Sequence, residues 1–136
     1  MEHIPEPYRC VAEIKRVLKP GGRLVIQIPF LYPIHDAPLD FHRWTIYGLE
    51  QLGKRFDFTR IRTRFAGAPI ETAALLANVS LVKTVLNWIT NKNPLLLFLP
   101  VVVVLIPIIN LIGALFSNTC RNDSFMAFSY TVTLEK

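Results

Sequence analysis

The stretch Arg16-Val17-Leu18-Lys19-Pro20-Gly21-Gly22-Arg23-Leu24-Val25-Ile26-Gln27-Ile28-Pro29-Phe30 decides how this chain is read. Just upstream, Val11, Ile14, Val17 and Leu18 recur at three- and four-residue spacing, which puts them on one helical face. Pro20 cannot continue that helix, and Gly21-Gly22 accept the positive φ of a tight αβ turn. Residues 23–30 are rich in Ile and Val and bounded by Gly and Pro, which predicts a strand covered on both faces. A helix, a hard stop and a buried strand thus follow one another.

Downstream lies a Pro- and His-containing loop, Leu31 to Trp44. Thr45 reads as the N-cap of a helix running through Ile46, Leu49 and Leu52 to about Arg55. Between Phe56 and Phe65, apolar Phe56, Phe58, Ile61 and Phe65 are set against Arg60, Arg62 and Arg64, predicting a half-buried strand with one basic side. Phe125 to Leu134, aromatic and β-branched, is the final strand.

About sixty residues separate those two strands, where an ordinary hairpin loop has ~2–5. Leu95 to Phe116 is an apolar run broken only by Pro100, Pro107, Asn110 and Gly113, and no charge occurs from Asn93 to Cys120. As a helix the run reaches about 33 Å, enough for a bilayer core of ~30 Å. In Ala68 to Thr90, Leu75, Val79, Val82, Leu86 and Ile89 form an apolar stripe opposite Ser80, Lys83, Thr84 and Asn87. Asn91-Lys92-Asn93-Pro94 makes the turn between. If strands 56–65 and 125–134 pair, the insertion must return to the side it left. A double crossing would bury Lys83 at a cost of ~2.5–3.5 kcal/mol. The expected arrangement is shallow, with 68–90 in the interface and Pro100 and Pro107 bending 95–116 into a re-entrant turn.

Composition agrees with membrane contact: of 136 residues, 51% are hydrophobic, and mean hydropathy is +0.36. The length allows one small domain. The net charge of +5 is uneven, with eleven Lys/Arg against seven Asp/Glu in residues 1–65 and four against three thereafter. Lys54, Arg55, Arg60, Arg62 and Arg64 read first as a solvated strand face, next as attraction to anionic headgroups, and no nucleic-acid partner is expected. Cys10 and Cys120, the latter beside Arg121, lack metal or redox spacing and are expected as reduced thiols. Residues 1–20 are charged throughout, so no signal peptide is expected.

Glu2-His3-Ile4-Pro5, the helix, Lys19-Pro20-Gly21-Gly22 and the strand 23–30 together resemble the second half of class I S-adenosylmethionine-dependent methyltransferases of the type 11 kind. In that family a Glu-His pair often ends the fourth strand, and a helix, a Lys-Pro-Gly-Gly turn and the fifth strand follow. The resemblance covers roughly residues 1–65 and, more weakly, 125–135. It implies an α/β fold: the C-terminal part of a Rossmann-like methyltransferase sheet, with an apolar helical insertion before the last strand. Residues 1–65 and 125–136 would belong to the methyltransferase domain and 66–124 to the insertion. The last two strands would pair antiparallel as the sheet's edge hairpin.

The family's cofactor grip is a Gly-rich loop after the first strand. The glycines here, Gly21, Gly22, Gly48, Gly53, Gly67 and Gly113, form no Gly-x-Gly. Met1 falls where the fourth strand should be ending, so the chain is expected to be the C-terminal part, with no cofactor-binding residues of its own and no activity alone. The resemblance implies S-adenosyl-L-methionine for the intact enzyme, a small-molecule acceptor and a separate chain supplying the rest of the sheet; the apolar insertion adds membrane lipid as a partner at the cytoplasmic face and a lipid-linked acceptor as the alternative. The other reading is a non-catalytic, membrane-bound remnant or interaction module.

Ligands of open α/β sheets bind beyond the carboxyl ends of the strands. Glu2-His3 and the loop Pro29 to Trp44 would reach that edge. His35, Pro38, Asp40, Arg43 and Thr45 resemble a His-x-x-Pro-x-Asp-x-x-Arg-x-Thr pattern of a subset of these enzymes. His3, His35 and His42 are the candidates for taking a proton from an acceptor hydroxyl. Glu2, Asp40, Arg43 and Trp44 are the candidates for acceptor binding. Asp40 and Arg43 read equally as a structural pair fixing the next helix, Glu2-His3 equally as a cap of the first helix, and Trp44 and Tyr47 as wall aromatics. His35, Asp36, Asp40 and His42 are metal-ligand types, but their spacing matches no standard site, so no metal is expected.

Overall fold

Pro7 opens the first helix, α1 (Pro7–Val17), at a position where a missing N–H costs nothing, and Lys15 and Arg16 in its last turn suit the helix dipole. Leu18 leaves the helix in an extended conformation, and Gly21 turns the chain at φ +74°. The carbonyls of Lys15 and Leu18 at the end of α1 accept from Lys136 Nζ at 2.7 and 2.6 Å, a cation capping a helix C-terminus. The chain then enters β1 (Arg23–Pro29).

The computed structural model describes residues 1–120 and 124–136, the side chain of Arg60 excepted, and Arg121 therefore lies outside the described residues. The chain divides into two compact units, Met1–Ala66 with Ala127–Lys136, and Gly67–Met126. In the first unit, Thr45 caps α2 (Ile46–Arg55) by accepting from the Gly48 N–H at 3.1 Å. The second strand, β2 (Arg60–Ala66), starts four residues later than the pattern predicts. Phe56 ends α2 and Asp57 takes φ +52°, so the intervening residues are spent leaving the helix. The last strand is β3 (Ser129–Glu135).

The sheet has the order β1-β3-β2, and both pairings are antiparallel. Leu134 faces Leu24 on one side and Ile61 on the other; Tyr130 faces Ile28 and Phe65. β2 and β3 thus pair antiparallel at the sheet edge as the resemblance implies, and no parallel pair occurs among the described residues. β3 is central, and its buried apolar residues Tyr130, Val132 and Leu134 pack with Ile26 and Ile28 of β1, Val11 of α1 and Leu49 and Leu52 of α2 in one core. Gly53 lets α2 approach closely: a Cβ there would lie 2.9 Å from Ile61 Cδ1 and 3.0 Å from Leu134 Cδ2.

One expectation for β1 fails. The strand is covered on one face only: Ile26 and Ile28 are buried, whereas Arg23, Val25 and Gln27 are exposed, Val25 by 60%. The core residues of both helices pack with the Ile26 face, so the apolar run is an alternation in which Val25 happens to be apolar. The opposite face carries Arg23, Arg62, Arg64, Thr131, Thr133 and Glu135 around a shallow depression of about 320 Å³. Arg23 Nε donates to Glu135 Oε2 at 3.1 Å.

The second unit is a helical hairpin. Ala68 N–H donates to Glu71 Oε2 at 2.8 Å, and Pro69 begins α3 (Pro69–Thr90). A 3-10 turn, Pro94–Phe98, leads into α4 (Leu99–Ser117). The re-entrant bend is not observed. Pro100 occupies the first turn of α4, where proline is tolerated, and α4 continues through Pro107. On α3, Val82, Leu86 and Ile89 of the apolar stripe are exposed. The face toward α4 holds Ala74, against which a Cβ on Gly113 would stand at 3.0 Å, and Asn78, whose Nδ2 donates to Asn110 Oδ1 at 2.7 Å. Half-buried Leu81, Val85 and Trp88 continue that face at helical spacing.

Apart from Thr72, Val102 and Gly113, α3 and α4 bury no residue. Leu97, Val101, Val103, Leu111 and Leu115 are each more than half exposed. The hydroxyls of Ser80, Thr84 and Thr90 donate to the carbonyls four residues back at 2.8–2.9 Å, so they carry no free donor into their surroundings. Both helical segments are long and apolar enough to cross a membrane, and only 6% of an 18-residue apolar window in each is buried.

Candidate functional site

The carboxyl end of β1 and the turn at Glu2–His3 meet through the backbone. Glu2 O accepts from Phe41 N–H at 2.9 Å and from His42 N–H at 3.2 Å, which pins the 31–44 loop against the start of the chain. A side-chain contact repeats the link, since His3 Nδ1 lies 3.0 Å from Leu39 O. The two segments expected at one rim are therefore in direct contact. Between them is a cavity of about 310 Å³ lined by Glu2, Gln27, Pro29, Tyr32, His35 and Ser129, among others.

Glu2 has a side chain only 13% exposed; its Oε2 accepts from the Met1 ammonium at 3.2 Å, and its Oε1 lies 3.7 Å from His3 Nε2. Burial raises its pKa, but its own backbone N–H, the Met1 ammonium and His3 outweigh that and hold the carboxyl below its ordinary value. His35 packs edge-on against His3 with ring centroids 4.9 Å apart, and against Tyr32 at 5.4 Å. One ligand-type atom from each of Glu2, His3 and His35 lies within 4.8 Å of the others. The differently composed set His35, Asp36, Asp40 and His42 is not assembled among the described residues: Asp36 and His42 stay outside the group.

Asp40 and Arg43 organise the loop. Both Arg43 Nη atoms donate to the two Asp40 carboxylate oxygens, and Nη1 also donates to His42 O at 3.0 Å and Nη2 to Pro33 O at 3.2 Å. Asp40 Oδ2 further accepts from the His35 backbone N–H at 3.0 Å and stands 3.3 Å from His35 Nδ1. The Arg43 hydrogen bonds, against the opposing effect of burial and with help from the His35 N–H, hold the Asp40 carboxyl far below the usual carboxylate range. Asp40 and Arg43 do not line the cavity, and this geometry gives them a structural part: they fix His35.

His42 and Trp44 sit elsewhere. Their rings are 5.9 Å apart and line a second cavity of about 570 Å³ with Pro5, Glu6, Tyr8 and Arg9. His42 Nε2 and Trp44 Nε1 are buried with no hydrogen-bond partner among the described residues. The structure thus brings together Glu2, His3 and His35, supports His35 with Asp40 and Arg43, and separates His42 and Trp44 from them. Tyr32, Gln27 and Ser129 do not stand out in the sequence as site residues. Gln27 has a visible signal, a polar residue inside an apolar strand; Tyr32 has only its place just beyond that strand.

The glycines present make no cofactor cradle: Gly21 and Gly22, the one adjacent pair, form the turn at the amino end of β1, away from the cavity. Comparison with curated proteins finds no match for this chain. The family model described as a methyltransferase domain matches residues 1–26, and this N-terminal segment, from the Glu2–His3 turn through α1 into β1, is methyltransferase-like.

Proposed function

We propose that this chain is the C-terminal part of a Rossmann-like, S-adenosylmethionine-dependent methyltransferase, forming the acceptor side of the site at the cytoplasmic face of a membrane. One observation carries the reading: the segment that matches the methyltransferase domain leads into β1, at whose carboxyl end Glu2 and His35 line a cavity. That is where open α/β sheets place their ligands. Each of His3 and His35 has Nδ1 engaged by a backbone carbonyl, which leaves Nε2 with its lone pair free to take a proton from an acceptor hydroxyl. The cofactor, with no grip among these residues, would be held by polypeptide outside them.

The outward apolar residues of α3 and α4 support membrane lipid as the surroundings of the hairpin, and hence a lipid-linked or membrane-dissolved acceptor. The alternative, a non-catalytic docking module, has one observation in its favour: among the described residues β1 pairs only with β3, so its other edge is open to a strand of another chain.

Isothermal titration of the detergent-solubilised chain with S-adenosylmethionine should show no micromolar binding. Expressed with whatever reading frame precedes Met1, the protein should move tritium from methyl-labelled S-adenosylmethionine into the lipid fraction. Micromolar binding by the 136-residue chain would overturn the division of labour. An upstream frame that holds no Gly-rich strand–loop, together with no label transfer, would favour the docking module.

A further inference from the structure

Glu2, His3 and His35 hold more order than proton transfer needs. A carbonyl oxygen has no proton to give, so His3 must donate from Nδ1 to Leu39 O at 3.0 Å, and His35 from Nδ1 to Pro33 O at 3.3 Å. The ionised Asp40 carboxylate, 3.3 Å from the same His35 nitrogen, reinforces that tautomer. In its neutral form each ring therefore carries its lone pair on Nε2. His3 Nε2 faces Glu2 Oε1 at 3.7 Å, beyond hydrogen-bond reach. Two imidazoles whose remote N–H groups are fixed by a carbonyl and by a carbonyl–carboxylate pair match the outer shell that orients metal-bound histidines.

We propose that Glu2, His3 and His35 form a site for a divalent first-row transition ion, with zinc as its representative. Two imidazole nitrogens and one carboxylate suit such an ion better than Mg²⁺ or Ca²⁺, which prefer all-oxygen surroundings. One ligand-type atom of each of the three residues now lies within 4.8 Å of the others. Ligands bound at ~2.0–2.2 Å around a tetrahedral centre stand about 3.5 Å apart, so the three would draw in by roughly 1 Å. Side-chain rotation of Glu2 and His35 on their turn and loop supplies that movement. The Met1 ammonium on Glu2 Oε2 must give way to the dication. Three protein ligands leave a coordination position open, and Glu2 and His35 both border the 310 Å³ cavity; an oxygen donor such as a hydroxyl or carboxylate would enter there. With the ion bound, the two imidazoles serve the cation rather than an acceptor proton. Metal binding and that proton transfer compete for the same lone pairs, but the ion needs no methyl transfer to bind, so the metal titration tests the site by itself.

The test uses the full chain in detergent micelles, free of any histidine tag, titrated with Zn²⁺ by calorimetry and with Co²⁺ by its visible d–d absorption. One ion per chain is expected, with no competition from excess Mg²⁺. His3→Gln and His35→Gln should each weaken binding by at least about 100-fold, and Asp40→Asn, which touches only the outer shell, by about 10- to 100-fold. His42→Gln should leave affinity unchanged. Imidazole nitrogen NMR of the metal-free chain keeps the proposal open to refutation if a variant misfolds: His3 and His35 should appear as Nδ1–H tautomers, and their Nε2 resonances should shift with one equivalent of Zn²⁺. Unshifted Nε2 resonances, no binding, or binding equal in wild type and His35→Gln would overturn the site.

Discussion

The two units of this chain place their apolar residues in opposite ways. In the sheet unit, Val11, Ile26, Ile28, Leu49, Leu52, Tyr130, Val132 and Leu134 are buried on one side of three strands, and arginines occupy the other. In the hairpin unit, Ala74, Asn78, Asn110 and Gly113 meet between the helices, while Leu97, Val103, Leu111 and Leu115 point outward. Small residues and a polar pair between helices, with large apolar residues outside, is how helices associate when their surroundings are as apolar as leucine. On the proposed reading, one chain is thus written for two solvents.

The largest expected effect comes from the same substitution in each unit. Leu134→Ala should cost ~2–5 kcal/mol, as deletion of a fully buried leucine does. Leu111→Ala, on the outer side of α4, should stay within about 0.5 kcal/mol. Denaturation followed through Trp44 in a Trp88→Phe background reads the first, and far-ultraviolet dichroism the second. Equal costs would make α4 a buried core helix and erase the comparison.

Next come the close-approach glycines. A methyl on Gly53 would meet Ile61 and Leu134, and one on Gly113 would meet Ala74. Gly53→Ala and Gly113→Ala should each cost ~1–3 kcal/mol of overpacking in thermal melts. Ala74→Gly should restore most of the loss from Gly113→Ala and none of that from Gly53→Ala.

A smaller effect is expected at the Asn78–Asn110 hydrogen bond. Asn78→Ala should destabilise the hairpin in micelles by ~0.6 kcal/mol, with ~1.7 as a ceiling. A larger loss would mean that the pair, rather than the small-residue contact, holds the helices together.

The smallest change is local and set by pH. The Asp40 carboxyl titrates lower in the folded chain than in the unfolded one. The stabilisation it supplies is therefore complete above the ordinary carboxylate value, about 4, and is lost as pH falls below it. The 31–44 loop should gain protease sensitivity on acidification while the helices persist, and Arg43→Ala should produce the same sensitivity at neutral pH. A loop equally resistant in both conditions would deny the pair its part in holding His35.

Elements fixed by neighbouring residues are legible in the sequence. Pro20 and Gly21-Gly22 end α1, Thr45 starts α2, and the Asn91–Pro94 turn divides the insertion, because each signal acts within a few residues. What depends on distant partners is not. Whether Val25 is covered depends on which side of the sheet α1 and α2 lie, and the residues 24–28 do not encode that. Which residues of α3 meet α4 likewise depends on α4: Ala74 and Asn78 do, while Val82, Leu86 and Ile89 of the stripe are exposed. At the site, the family resemblance puts Glu2-His3 and the loop at one sheet edge. The pairing of His3 with Leu39 O and of His35 with Asp40 requires the loop's fold, as does the removal of His42 to a separate cavity.

Flotation of the full chain with phospholipid vesicles, followed by an alkaline carbonate wash, tests the two-solvent account most directly. The chain should rise with the vesicles and stay with them through the wash, with Leu111 and Leu115 labelled by a lipid-dissolved photoprobe and Leu134 unlabelled. A monodisperse chain left in the aqueous fraction, with the hairpin unlabelled, would contradict it.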